Sequence, residues 1–323
     1  MAASRNRTSP DLTTRLAAFV GDRLAAHETV CVGLSGGCDS VVLLHLLSRL
    51  GLGERLSAVH VHHGLSPNAD AWAGFCQRYC NELGVPLLVR RVSVLGGSGS
   101  GLEAAARQAR YSAFAEVAAD CLFLAQHGGD QAETLLLNLL RGCGVTGAAA
   151  MPIERLHGGR RLLRPLLGES RADIEAYAHC HGLRWVEDES NDNPAFTRNY
   201  LRHQVMPVIG KRFPAAEFAL RRAAANFGEA AELLDELAAA DWAVVADGET
   251  ARLAGLRTLN PARLKNLLRY RLRVLGWQVP VADRLDEFVR QLIGAAPDRH
   301  PELILEDGRM RSARGRLHWL SAQ

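Results

Sequence analysis

Apolar positions in the first two hundred residues alternate between two textures. Short continuous runs at Thr29–Leu34, Leu56–Val61, Leu87–Val92 and Cys121–Ala125 have the length of buried strands. Between them, residues 40–51, 68–83, 101–119 and 130–140 repeat apolar side chains at helical spacing, as in Val42, Leu43, Leu46, Leu47 and Leu50. Strands separated by helices of this length predict βαβ units and an α/β fold built on a doubly wound parallel sheet. After "KRFPAAEFALRRAAANF" the chain turns Ala-, Leu- and Glu-rich, with helical period over Pro214–Trp242. Further helices fit Pro261–Leu275 and Val281–Ile293, and "ELILEDGRMRSARGRLHWL" reads as a closing hairpin. The pattern thus divides the chain into a tail and helix (1–27), an α/β domain (28–213) and a second, mainly helical domain (214–323).

In doubly wound sheets, ligands bind beyond the carboxyl ends of the strands. Polar residues gather there: Ser35–Ser40 after the first strand, His62–Gly64 after the second, and Gln126–Asp130 after the fourth. "GGSGSG" at 96–101 predicts a flexible loop before the third helix of the sheet domain. In "LSGGCDS", the adjacent Gly36 and Gly37 permit positive φ and close approach of a bulky partner. The N–H groups opening the next helix then face an anion, favoured by the helix dipole. A tight βα turn with a capping Asp39 or Ser40 is the plainer reading of the same residues. No Lys follows the glycines, so this is not a Walker A loop, nor is it Gly-x-Gly-x-x-Gly.

Composition narrows the class. A 48% hydrophobic and 23% charged chain of 323 residues is ordinary for a soluble globular protein. No apolar run approaches the roughly 20 residues that span a bilayer, and the start lacks the apolar centre of a signal peptide. Seven cysteines without a Cys-x-x-Cys pair point to reduced thiols in a cytosol rather than to disulfides, zinc or an iron–sulfur cluster. The net charge of +3 hints only weakly at an anionic partner. Its basic residues are locally organised in "PARLKNLLRYRLRVLG", which has five cations and no acid. Lys265, Arg269 and Arg273 make one stripe there, a candidate track for phosphates, and Leu264, Leu268 and Leu272 make an inward one.

The segment Ser35-Gly36-Gly37-Cys38-Asp39-Ser40 resembles the PP-loop of the N-type ATP pyrophosphatases. Four further blocks, "AVHVHHGLSPNADAW", "LEAAARQARYSAF", "AQHGGDQAETLLLNLLRGCGVTGAAAM" and "WVEDESNDNPAFTRNYLRHQVMPVI", follow in order, with "RPLL" between the last two. Together they resemble the tRNA(Ile)-lysidine synthetase family over residues 28–210. The resemblance implies a bacterial cytoplasmic ligase. Its substrates are ATP, L-lysine and the wobble cytidine of a CAU-anticodon tRNA(Ile), its metal is Mg²⁺, and AMP and pyrophosphate are released. Some members carry another C-terminal domain, for which the 323 residues leave no room. The oligomeric state stays open, a homodimer being one option.

The same resemblance assigns expected roles. Ser35, Gly36, Gly37, Cys38, Asp39 and Ser40 hold ATP, with His62 and His63 as walls of its pocket, although strand-end histidines are commonly plain loop residues. Asp39 and Asp130 hold Mg²⁺, and Glu133 shares the helix face of Asp130. Arg110 clamps phosphate charge, and His127, His63 and Asp130 remain alternatives for taking the amine proton. Asp188 or Glu189 meets lysine while Arg198 and Arg202 meet phosphate. Many members have Asp-Asp where this chain has Gly129-Asp130, so Asp130 must suffice. A PP-loop tRNA thiolase, an NAD-synthesising type of enzyme and a catalytically impaired tRNA-binding homologue are the competing readings.

Overall fold

The computed structural model describes residues 11–94, 100–189, 193–296 and 298–322. Most of the expected loop at 96–101, the cap at Ser190 or Asn191, and the first ten residues lie outside that set. Two compact units emerge, Met1–Gly228 and Glu229–Gln323. The division falls inside a long helix rather than before it at Phe213.

The first unit begins with α1 (Leu12–Arg23), β1 (Val30–Gly33), α2 (Cys38–Ser48), β2 (Leu56–His62), α3 (Ala69–Leu83) and β3 (Leu87–Arg91). It continues through α4 (Ser100–Ala115), β4 (Cys121–Phe123), α5 (Gly128–Leu140), α6 (Val145–Ala148), β5 (Glu154–His157), β6 (Arg160–Leu163) and α7 (Arg171–Cys180). Then come α8 (Thr197–Tyr200), a π-helical turn over Leu201–Val205, α9 (Met206–Arg212) and the start of α10 (Ala216–Val245). The sheet order is β3-β2-β1-β4-β6-β5. β1 pairs in parallel with both β2 and β4, and β6 runs parallel to β4. The doubly wound parallel sheet is therefore present, with one addition that the apolar pattern did not reveal. β5 and β6 form an antiparallel hairpin that places β5 on the edge.

Alternation along β1 shows why the sheet is buried on both faces. Val30, Val32 and Leu34 join one apolar cluster and Cys31 joins another, because successive side chains of a strand point to opposite faces. α2 is buried nearly all round: Val41, Val42, Leu43, Leu44, Leu46 and Leu47 each show 0% exposure. Burying such a side chain stabilises by about 1.5–3 kcal/mol, so this helix anchors the loop that precedes it. Since the chain winds from β1 outward to β3 and then returns to β4 on the other side of β1, the order reverses between β1 and β4. The loops leaving these two strands are thereby brought together.

The second unit holds the rest of α10, then β7 (Ala246–Asp247), β8 (Thr250–Arg252), α11 (Leu253–Leu256), α12 (Pro261–Val274) and α13 (Ala282–Gly294). It closes with β9 (Glu302–Ile304), β10 (Gly308–Ala313) and β11 (Arg316–Ser321). The helices fall where expected, but the closing hairpin belongs to a five-stranded sheet of order β7-β8-β11-β10-β9. The short strands β7 and β8 carry Asp247, Thr250 and Arg252 and so lack the continuous apolar run that marked the equally short β4. Leu264, Leu268 and Leu272 point into the core at 0% exposure, as their spacing predicts. Among the described residues, no helix is long and apolar enough to cross a membrane.

Candidate functional site

The loop from β1 to α2 is built by hydrogen bonds among its own hydroxyls. Ser35 Oγ lies 3.0 Å from Ser40 Oγ, Ser40 Oγ donates to Gly37 O at 2.9 Å, and Ser35 N donates to Ser40 Oγ at 3.2 Å. Gly36 takes φ +91°, and a Cβ there would stand 2.9 Å from Val186. The loop carbonyl of Gly36 accepts from Val186 N at 3.0 Å. Glycine is thus required twice, by conformation and by contact. Cys38 is buried, and burial pushes its thiol up to about 11, so it packs as a neutral side chain.

Asp39, in the first turn of α2, is held by Arg171, whose Nη1 lies 2.7 and 2.5 Å from its two oxygens. Burial raises the Asp39 pKa, against the pull of His127 and Arg171, and neighbouring Asp130 raises it further. Asp130 therefore shares the electrostatic environment of Asp39, although the two lie on different helices. Arg171 had no signal in the sequence beyond opening a helix after Ser170, which caps α7.

At the start of α5, His127 and Asp130 form a reciprocal cap. His127 Nδ1 accepts from Gly129 N at 3.0 Å, and His127 N donates to Asp130 Oδ2 at 3.0 Å. An accepting Nδ1 places the ring proton on Nε2, which lies 3.7 Å from Asp130 Oδ2. The expected base is thus occupied as a helix cap. The ring also accounts locally for Gly129, where a Cβ would approach His127 Cε1 to 2.8 Å. Arg202 completes the group. Its Nη2 donates to Asp130 Oδ1 at 2.9 Å, and its Nε donates to Glu133 Oε1 at 2.7 Å. Glu133 is buried; burial raises its pKa while Arg202 holds it down.

The remaining expected residues separate into four places. His63 and Arg110 lie near Asp188: burial and then Arg110 lower the His63 pKa, while Asp188 raises it. His63 Nδ1 is buried without a hydrogen-bond partner among the described residues. His62 ends β2 and contacts Asp70 at 3.1 Å. Glu189 is exposed and accepts from Ser66 Oγ at 2.5 Å, away from the Asp39–Asp130 group in its bonding. Arg198 donates to Thr134 Oγ1 at 3.1 Å. Arg202 thus meets carboxylates here, and Asp188 meets cationic neighbours.

In the second unit the basic stripe is largely neutralised, contrary to its reading from one helix alone. Lys265 pairs with Asp286 of α13 at 3.0 Å, and Arg273 pairs with Asp235 of α10. No ion pair to Arg269 is found among the described residues. Arg271, absent from the expected stripe, is buried with its guanidinium 3.7 Å from the Trp242 ring centre.

Hard carboxylate oxygens suit Mg²⁺, which commonly binds through one or two carboxylates plus substrate phosphates. Asp39 and Asp130 meet that requirement. Among the described residues, no group of three His, Cys, Asp or Glu side chains is arranged as a cage that would hold a metal alone.

Residues 8–209 match the PP-loop domain family, and residues 252–318 match the TilS substrate binding domain. The chain is 43% identical over 327 residues to a tRNA(Ile)-lysidine synthase of Nitrosomonas europaea, covering 100% of this chain and 71% of the relative. It is 48% identical over 309 residues to the tRNA(Ile)-lysidine synthase of Pseudomonas aeruginosa, covering 90% and 69%. Among solved structures, the U34-tRNA thiolase from Methanococcus maripaludis aligns with a TM-score of 0.54 at 17% identity, covering 67% of this chain and 78% of that one. That likeness concerns the fold alone.

Proposed function

The chain belongs to the tRNA(Ile)-lysidine synthase family, and from that premise we propose how its residues carry the reaction. The enzyme ligates lysine to C2 of the wobble cytidine of CAU-anticodon tRNA(Ile), using ATP. The observation that supports this assignment of roles is the meeting of the Ser35–Ser40 loop with the Asp39, Asp130, Glu133 and Arg202 group at the β1–β4 switch point.

In the first step, cytosine O2 attacks the α-phosphorus of ATP, the bond from that phosphorus to the bridging oxygen breaks, and pyrophosphate leaves. The Ser35 and Ser40 hydroxyls and the N–H groups opening α2 receive its charge. Asp39 and Asp130 would hold Mg²⁺, which would supply neutralisation of phosphate charge. In the second step, the lysine ε-amine attacks C2, the C2–O2 bond breaks and AMP departs with that oxygen.

The amine must be neutral to attack, and its ordinary pKa of about 10.4 requires a proton acceptor or desolvation. His127 is engaged as a cap, and Asp130 is engaged by His127 N and Arg202, which leaves His63, whose Nδ1 has no partner among the described residues, as the acceptor. Lysine carries an α-carboxylate and two amines. Arg202 complements the carboxylate and the Asp130–Glu133 pair complements an amine, and this assignment replaces the expected one at Asp188 or Glu189. The seven cysteines are free thiols, and nothing favours a thiolase.

Lysine incorporation into a CAU-anticodon tRNA(Ile) transcript, with ATP and Mg²⁺, tests the proposal. Labelled lysine should enter RNA with wild type and not with Asp39→Ala. Pyrophosphate release without lysine incorporation would reject lysine as the second substrate.

A further inference from the structure

A group of like charges beside the candidate site has no task in the adenylation chemistry. Tyr111 of α4 is buried. Arg107, one turn earlier, holds its guanidinium 5.0 Å from the Tyr111 ring centre and its Nη2 lies 3.5 Å from the hydroxyl. Arg155 of β5 lies over the same ring at 4.9 Å. Arg164, 2% exposed, also bonds the tyrosine side chain, and its other donors reach Gln126 Oε1 at 3.1 Å and Pro152 O at 2.7 Å. Arg110 follows Arg107 by three residues on the same helix.

Among the described residues, no carboxylate pairs with Arg107, Arg155 or Arg164. The cations disfavour one another. Burial lowers the Arg164 pKa, Tyr111 opposes the fall, and Arg155 and Arg107 lower it further; burial and then Arg107 lower that of Arg110. Crowding guanidinium groups that have no carboxylate partner among the described residues does not by itself favour folding. The two outer arginines, Arg107 and Arg155, are exposed, while Arg164 braces the tyrosine from inside the fold. Gln126, which Arg164 grips, immediately precedes the His127 cap, so this patch borders the reaction site.

We propose that Arg107 and Arg155, displayed over Tyr111, bind a backbone phosphate of the tRNA beside the base being modified. The proposal rests on the lysidine synthase reading and deepens it. Guanidinium forks match phosphate geometry, and such contacts position an RNA without reading its sequence. ATP is the other source of phosphate. β5 stands three strands from β1 in the sheet order, about 14 Å in the sheet plane at the usual strand spacing. A ligand that extends beyond a nucleotide on the β1 loop fits that separation.

The test is binding of the CAU-anticodon tRNA(Ile) transcript to the full chain across a salt series, with ATP binding measured in parallel. Relative to wild type, the Arg107→Ala/Arg155→Ala double variant should bind tRNA about tenfold more weakly, and its salt slope should shrink by about one to two. Its ATP affinity should stay at the wild-type value. Arg107→Lys/Arg155→Lys, which keeps the charges and the stems, should recover most of the salt slope and guards against a folding defect. Unchanged tRNA affinity and slope in the alanine variant, with wild type forming lysidine, overturn this proposal alone. Loss of ATP affinity with intact tRNA binding assigns the phosphate to the nucleotide and overturns it as well. A wild type that neither binds the transcript nor forms lysidine removes the functional reading, and this proposal with it.

Discussion

One nitrogen of Arg171, Nη1, donates to both carboxylate oxygens of Asp39, at 2.7 and 2.5 Å. The two residues lie 132 positions apart, and the pair decides how readily Asp39 stays ionised. Burial raises its pKa, and the Arg171 guanidinium opposes the rise. Arg171→Gln should therefore move the acid limb of the pyrophosphate-release profile to higher pH, because ionised Asp39 is the metal-binding form. An acid limb that stays in place in the variant counts against that role.

The same shift has a sign for stability. A carboxyl whose folded pKa is raised binds more protons folded than unfolded between its ordinary value and the raised one, so stability falls as pH rises through that window. Asp39→Asn should then melt above wild type at neutral pH and lose the advantage in acid. Thermal melts at both ends of that window measure it. Equal gains at both ends assign the effect to packing instead.

Gly36→Ala should abolish ATP binding. An alanine at φ +91° costs about 1–2 kcal/mol from its own backbone, and its Cβ presses on Val186 at 2.9 Å. Adding Val186→Ala relieves the contact but not the dihedral, so nucleotide affinity should recover only in part. Full recovery in an ATP titration would show that the contact alone matters.

His127 separates capping from catalysis. Asparagine accepts from the same backbone N–H, so His127→Asn should keep its stability and most of its rate. His127→Ala should lose about 0.5–2 kcal/mol through the missing cap. Denaturant unfolding and single-turnover lysine transfer together give the answer, and a stable but inactive His127→Asn identifies His127 as the proton acceptor after all.

Arg202→Ala leaves buried Glu133 and Asp130 without their shared donor. Each charged hydrogen bond of this kind contributes about 1.5–3 kcal/mol, less where solvent screens it, and Arg202 is 38% exposed. The variant should be moderately destabilised and raise the KM for lysine more than that for ATP. A KM change confined to ATP contradicts the lysine pocket.

The basic helix of the second unit gives a contrast within one stripe. Lys265 and Arg273 are neutralised by Asp286 and Asp235, whereas Arg269 has no such pair among the described residues. Arg269→Ala should weaken tRNA binding and reduce its salt slope by about one, with little effect from Lys265→Ala. Equal effects at both positions would mean that the ion pairs open on binding.

The alternation of strands and helices, the glycine loop and the chemistry-bearing strand ends are legible in the amino-acid order, because each is a local matter of period, φ and charge. Ser35–Ser40 and Gln126–Asp130 were identifiable for that reason. The edge hairpin and the strands β7 and β8 were not, since their polar and charged residues interrupt the continuous apolar run that marked the equally short β1 and β4. Tertiary structure alone decided which charges meet. It gave Asp39 to Arg171, joined Arg202 to Asp130 and Glu133, and silenced Lys265 and Arg273 with acids from neighbouring helices. A helix pattern shows which face a side chain occupies, but the sign of its partner is set by whichever element folds against that face.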